Sequence, residues 1–143
     1  MNEDYITFKT AKLAKEKGFN IQTRYYYDFI GDIGSTSSTD QNWNKSKETI
    51  YSRPTQSALQ KWLREKHKVF AESVVDQRGS ANHRLETYFT CVIKYRRNLE
   101  FERRCGFGQM CYKTFPKYEE AIEEALYESL RQLDKLTYKN STK

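Results

Sequence analysis

Apolar residues recur along this chain in two periods, and the switches between them predict the elements. From Phe8 to about Lys17 the apolar side chains fall on one helical stripe, made by Phe8, Ala11 and Ala14 with Leu13 beside them. Thr7 can cap that helix. Lys15 and Lys17 suit the negative end of its dipole. Gly18 can take the left-handed position after the last turn and fold Phe19 back onto the helix. Ile21 to Ile30 then alternates Tyr25, Tyr27 and Phe29 with Arg24, Tyr26 and Asp28, which is the period of a strand. Gly31, Asp32 and Gly34 end it. Residues 31–48 are polar apart from Ile33 and Trp43 and show no period, so we expect a mobile surface loop there. Thr49 to Ser52 is expected to return as a short strand beside the first.

Pro54 and Thr55 open a second helix with Thr55 as its cap. Ala58, Leu59, Trp62 and Leu63 form its apolar face, and it ends near His67 or Lys68. Val69 to Val75 reads as a strand with Val69, Ala71 and Ser73 on one face, and Asp76 to Asn82 as a turn-rich link. Leu85 to Tyr95 is the clearest strand. Its apolar row, Leu85, Thr87, Phe89, Cys91, Ile93 and Tyr95, should face the core. Leu99 to Arg104 and Met110 to Thr114 add hairpin arms around Gly106 and Gly108. The last helix runs from about Lys117 or Tyr118 to Leu136, with Tyr138 to Lys143 as a frayed tail and Met1 to Asp4 as another.

The order helix, hairpin, helix, strands, helix predicts an α+β fold. The links are too short or too polar for repeated crossover helices, so we expect one antiparallel sheet of four to five short strands with about three helices mainly on one face. Residues 1–143 form one domain with a polar loop at 31–48. The reading requires Trp62, Phe89 and Leu126 to meet in one core.

Composition changes this picture in two ways. Leu, Ile, Val and Phe number only 28 of 143 residues, but 11 Tyr and two Trp supply the missing apolar surface, so the core is expected to be aromatic. The charge is also segregated. Residues 119–136 carry six acids and two bases, a net −4, so the rest of a chain of net +6 carries +10. No run of apolar residues is long enough to span a membrane, and Met1 to Thr10 has no apolar core followed by small residues. Three cysteines make an odd count without a disulfide spacing. A reducing cytoplasm is the compartment these features favour.

Three segments are distinctive: "TFKTAKLAKEKGF" at Thr7 to Phe19, "PTQSALQKWLREKH" at Pro54 to His67 and "YEEAIEEALYESL" at Tyr118 to Leu130. Together they resemble a group of short uncharacterised proteins encoded by gut Bacteroidales bacteria and by their phages or integrated mobile elements. The polar loop at 31–48 is longer than in that group, and the Arg-rich segment at 94–104 departs from it. The resemblance implies a cytosolic, phage-linked origin and assigns no activity, cofactor or site residue.

Catalytic chemistry finds little support. His67 sits among Arg64, Glu65, Lys66 and Lys68 at a helix end, and His83 lies in a polar link beside Arg84. Neither has a nucleophile and an orienting group in a local pattern. Asp28 with Asp32, or Glu100 with Glu102, read as ordinary surface carboxylates. Gly31-Asp32-Ile33-Gly34 and Gly106-Phe107-Gly108 lack the context of a phosphate loop and read as turns. A zinc site would have to combine His83, Cys91, Cys105 and Cys111, which include no close ligand pair. Cys105 and Cys111 could approach across a tight hairpin, although free thiols suit a reducing compartment better. We therefore expect no enzyme, no metal and no cofactor.

Two binding readings remain. The first is a small accessory or protein-interaction protein, with Tyr26 and Trp43 as partner contacts and either a protein partner or a homodimer through the last helix. The second is nucleic-acid binding by a basic sheet edge, in which Lys94, Arg96, Arg97, Arg103 and Arg104 hold phosphates beside Tyr88 or Tyr112.

Overall fold

A computed structural model describes residues 4–35, 39–79, 85–95 and 108–137. Helix α1 (Phe8–Glu16) starts on Thr7, whose hydroxyl accepts the Thr10 amide. It ends on the expected left-handed Gly18, at φ 88°. The Phe19 amide donates to the Ala14 carbonyl at 3.0 Å and the Gly18 amide to that of Lys15 at 3.1 Å, which places Phe19 in the core.

Strands β1 (Tyr25–Tyr27), β2 (Ile33–Ser35) and β3 (Tyr51–Arg53) follow and form a small antiparallel sheet in the order β2-β1-β3. Helix α2 (Gln56–Trp62) is capped by Thr55, whose hydroxyl accepts the Ala58 amide. It runs on as a π-helical turn over Leu63–His67, and Lys68 reverses the chain at φ 57°. Strands β4 (Val69–Gly79), β5 (Leu85–Tyr95) and β6 (Gly108–Phe115) make a second antiparallel sheet in that order. Helix α3 (Tyr118–Arg131) and a short helix α4 (Leu133–Thr137) complete the described chain.

The α+β class is as expected, but the strands divide into two three-stranded sheets, not one of four to five. The division has a physical cause. β1 has a neighbour on each side, and its partners are three residues long, so little of the ladder is free to extend. β3 runs into Pro54, which has no amide hydrogen to donate. α1 lies against β3 and α3, while α3 crosses β4, β5 and β6, so helices cover both sheets.

One core joins the parts. Ile122, Ala125, Leu126 and Leu130 of α3 meet Val69, Ala71, Cys91 and Ile93 of the larger sheet, and Leu59, Trp62 and Leu63 close the end next to Ala11, Ala14 and Phe19. The Phe19 and Trp62 rings meet edge to face at 5.4 Å. Of the three expected core markers, Trp62 and Leu126 are buried. Phe89 is half-buried, its ring edge-on to Tyr118 at 5.9 Å.

Several boundaries move. The strand expected over Ile21 to Ile30 shrinks to Tyr25–Tyr27 because a turn starts at Asp28. β4 continues through 76–79, where a link was expected, because its backbone stays paired with β5 as far as Gly79 opposite Leu85. The expected last helix divides at Gln132, where ψ rises to 7°. Asp4 is no loose tail, since its carbonyl accepts the Gln56 amide at 2.8 Å.

The described part of the stretch expected as a mobile loop is tied down. β2 pairs with β1, and Gln41 makes an isolated bridge with Thr23. The Lys15 ammonium donates to the carbonyls of Ser46, Glu48 and Ile50 at 3.1, 2.8 and 2.8 Å, and partial burial lowers its pKa. Asn44 donates to the Phe19 carbonyl at 3.0 Å and accepts the Ser52 amide at 2.9 Å. No helix among the described residues is long and apolar enough to cross a membrane.

Candidate interaction surface

The hairpin between β1 and β2 is built to hold apolar side chains out in water. Asp28 is its organiser. Its Oδ1 accepts the amides of Ile30 at 3.0 Å and Asp32 at 2.9 Å, while its own amide donates to the Asp32 carbonyl at 2.9 Å. The Gly31 amide closes the turn on the Asp28 carbonyl at 3.1 Å, and Gly31 has φ 93°. This is the three-residue hairpin pattern with its left-handed position held by glycine. A Cβ at Gly31 would press on the Phe8 ring, so the base of the turn rests directly on α1.

Phe29 and Ile30 occupy the two central turn positions, where polar residues are usual. Phe29 is 71 % exposed, Ile30 62 % and Ile33 57 %. Phe29 was expected to line the strand with Tyr25 and Tyr27, and the turn at Asp28 instead carries it out of the sheet.

Of the two expected partner contacts, Tyr26 and Trp43, neither stands free. Their ring centroids are 4.4 Å apart, both residues are half-buried, and the Trp43 indole N–H donates to the Thr23 carbonyl at 3.0 Å. Tyr26 lies opposite Gly34 on β2, and its ring occupies the space a Cβ at Gly34 would need. These two aromatics therefore form a brace behind the hairpin.

The basic edge appears only in part. Lys94 on β5 pairs with Glu72 on β4 at 3.2 Å. Arg96, Arg97, Arg103 and Arg104 lie outside the described residues, as do Leu99 and Cys105. Tyr88 is half-buried on β5. Cys91 is a buried thiol in the core, as expected for that face of β5. His83 also lies outside the described residues, and among the described ones no cluster of His, Cys, Asp and Glu could hold a metal ion.

His67 packs its ring edge-on to Trp62 at 4.7 Å, and its Nε2 and the Trp62 Nε1 are buried with no hydrogen-bond partner. Burial, then the nearby Lys66 ammonium, pushes the His67 pKa down. A groove of about 540 Å³ runs beside Trp62, lined by Ile21, Ala58, Lys61, Glu65 and Lys66 as well.

Compared with protein-family profiles, curated proteins and solved structures, the chain matches none.

Proposed function

We propose that this chain is a non-catalytic binding protein that docks on a protein partner through the Asp28–Asp32 turn. One observation carries the reading: Phe29, Ile30 and Ile33 are largely in water on a hairpin whose backbone is already held by Asp28. Exposed apolar groups scattered singly need no explanation, but Phe29 and Ile30 on one organised turn, with Ile33 at the start of β2, support a docking surface there. A rigid turn also lowers the ordering cost of association, which is where preorganised binders gain affinity. Asp32, exposed beside the apolar residues, favours a partner whose apolar pocket has a basic rim. The cytoplasm is the compartment we propose for this role, since the cysteines of the chain show no disulfide spacing.

The test is co-purification from the organism that encodes the protein, with wild type beside the Phe29→Ser, Ile30→Ser double variant. Both side chains lie in water, so the variant keeps the wild-type circular dichroism and melting temperature. The reading requires a stoichiometric partner that wild type retains and the double variant loses. A partner held equally by both proteins, or no partner with wild type, overturns it.

A further inference from the structure

We propose that the cavity beside Arg53 is a binding site for a small carboxylate. This inference is independent of the turn described above.

Arg53 lies on the edge strand β3 opposite Tyr25. Its guanidinium carbon sits 4.2 Å from the Tyr5 ring centroid, with the rings of Tyr27 and Tyr25 at 5.4 and 5.9 Å. Its Nε donates to the Tyr27 hydroxyl at 3.1 Å, and that hydroxyl is itself fixed by donating to the buried Ile6 carbonyl at 2.6 Å. The plane of the guanidinium is thus set by three aromatic side chains. Its two terminal nitrogens have no bond within the described residues. An arginine oriented this way, with its outer fork unspent, is preorganised for a planar oxyanion.

The cavity Arg53 borders is about 210 Å³ and is also lined by Arg24, Asp40, Gln22, Thr23, Tyr25 and Pro54. Among the described residues neither arginine pairs with a carboxylate, Asp40 included. Two guanidinium groups against one carboxylate leave one positive charge uncompensated. A single carboxylate closes that balance, whereas a doubly charged phosphate monoester overshoots it against Asp40. Tyr25 and Pro54 offer one apolar flank to the body that carries the carboxylate, and Gln22 and Thr23 a polar one. The volume is below the roughly 300–1,000 Å³ of drug-sized pockets, which points to one ring or branched chain.

Four probes test the site: phenylacetate, N-acetylphenylalanine, N-acetylphenylalaninamide and phenyl phosphate. Each is titrated by calorimetry, and the Arg53 Nε–Hε cross-peak is followed by NMR. Both carboxylates should move that cross-peak and the amide should not. Arg24→Gln, at an exposed side chain with no bonds to lose, keeps the fold and should weaken both acids about tenfold, the loss of one charge-assisted hydrogen bond. Arg53→Lys keeps the charge but loses the fork, and should weaken them at least as much. Phenyl phosphate should bind more weakly than phenylacetate to wild type and gain in Asp40→Asn.

Equal affinity for the two acids assigns the site to free small carboxylates. A clear preference for N-acetylphenylalanine assigns it to the C-terminus of a peptide. Either result supports the site. No cross-peak movement up to about 10 mM of either acid, beyond the weak end of specific binding, overturns it. So does an amide that binds as well as its acid, an Arg24→Gln variant that binds like wild type, or a phosphate that outcompetes phenylacetate on wild type.

Discussion

Replacing Glu123 by alanine should loosen three helices at once. Its carboxylate accepts the Thr7 amide at 2.9 Å and hydroxyl at 2.7 Å, the Thr10 hydroxyl at 2.5 Å and the Gln56 side-chain amide at 3.2 Å. One side chain of α3 therefore closes the N-terminus of α1, where a negative charge also complements the dipole, and holds the start of α2. The two bonds to Thr7 are in contact with water and contribute about 0.5 kcal/mol each. The two part-buried ones contribute about 1 kcal/mol each, so Glu123→Ala should remove about 3 kcal/mol. A 143-residue chain unfolds with an entropy of about 0.3 kcal/mol/K, and that loss lowers the melting temperature by about 10 °C.

Glu123→Gln keeps an oxygen for the Thr7 and Thr10 donors but turns an NH₂ toward the Gln56 amide, and should lose about a third as much. Thermal unfolding followed by circular dichroism gives both shifts. A cycle with Thr10→Val should return a coupling of about 1 kcal/mol, since the two groups touch. A Glu123→Ala shift under about 3 °C, or a cycle that adds within about 0.3 kcal/mol, would refute the claim that this carboxylate joins the helices.

Gly34→Ala should push the Tyr26 ring off Trp43, at a cost of about 1 kcal/mol for the lost aromatic pair, and move the Trp43 indole cross-peak; an unmoved cross-peak counts against the brace. Lys15→Met strands the carbonyls of Ser46, Glu48 and Ile50, so trypsin should cut after Lys45 and Lys47 in the folded protein well before it does in wild type, as read by mass spectrometry. The folded His67 pKa lies below 6.5, held down by burial and then by Lys66, so between those two values the unfolded chain binds more protons. Stability should therefore fall as pH drops from 6.5 toward the folded value, and His67→Gln should flatten that slope in urea midpoints at pH 7.5 and 5.5; an NMR titration midpoint at or above 6.5 would reverse the sign. Glu128 contributes only lower down: burial raises its pKa, but the Arg131 and Gln132 hydrogen bonds and the charges of Arg131 and Lys9 outweigh that, so its stabilisation is present above 4.5 and lost as pH falls through its lowered value.

The helices were legible because their signals are local. Thr7 and Thr55 cap where a hydroxyl before an apolar period should cap, and Gly18 with Phe19 closes α1 by chain-neighbour geometry alone. The alternation of β5 likewise placed Cys91, Ile93 and Tyr95 in the core, although Thr87 of the same row is exposed and Val92 of the opposite row is buried. Pairing is different in kind. A period of two assigns each side chain to a face and is silent about which strand lies alongside. One sheet or two therefore read alike until Pro54 and the three-residue ladders are seen in space. The π-helical turn at Leu63–His67 keeps a helical period and left no separate mark.

The candidate sites were missed for opposite reasons. In Asp28-Phe29-Ile30-Gly31 the turn signal was present, with Asp at the first position and Gly at the fourth. The alternation Tyr25, Tyr27, Phe29 pointed the other way, and a run of aromatics outweighed one aspartate. The structure resolves that conflict at an energetic cost to the chain, because it leaves a phenylalanine and two isoleucines in water. Under the docking role proposed above, these are the side chains that would meet the partner. The Arg53 site carried no local signal at all. Tyr5 comes from the start of the chain, Tyr25 and Tyr27 from β1, and Arg53 from β3, and only the antiparallel register Tyr25↔Arg53 and the Tyr5↔Thr55 bridge bring them to one cavity. A site made by register is invisible to spacing, because Arg53 reaches Tyr25 through the pairing of β1 with β3 and not through any fixed interval along the chain.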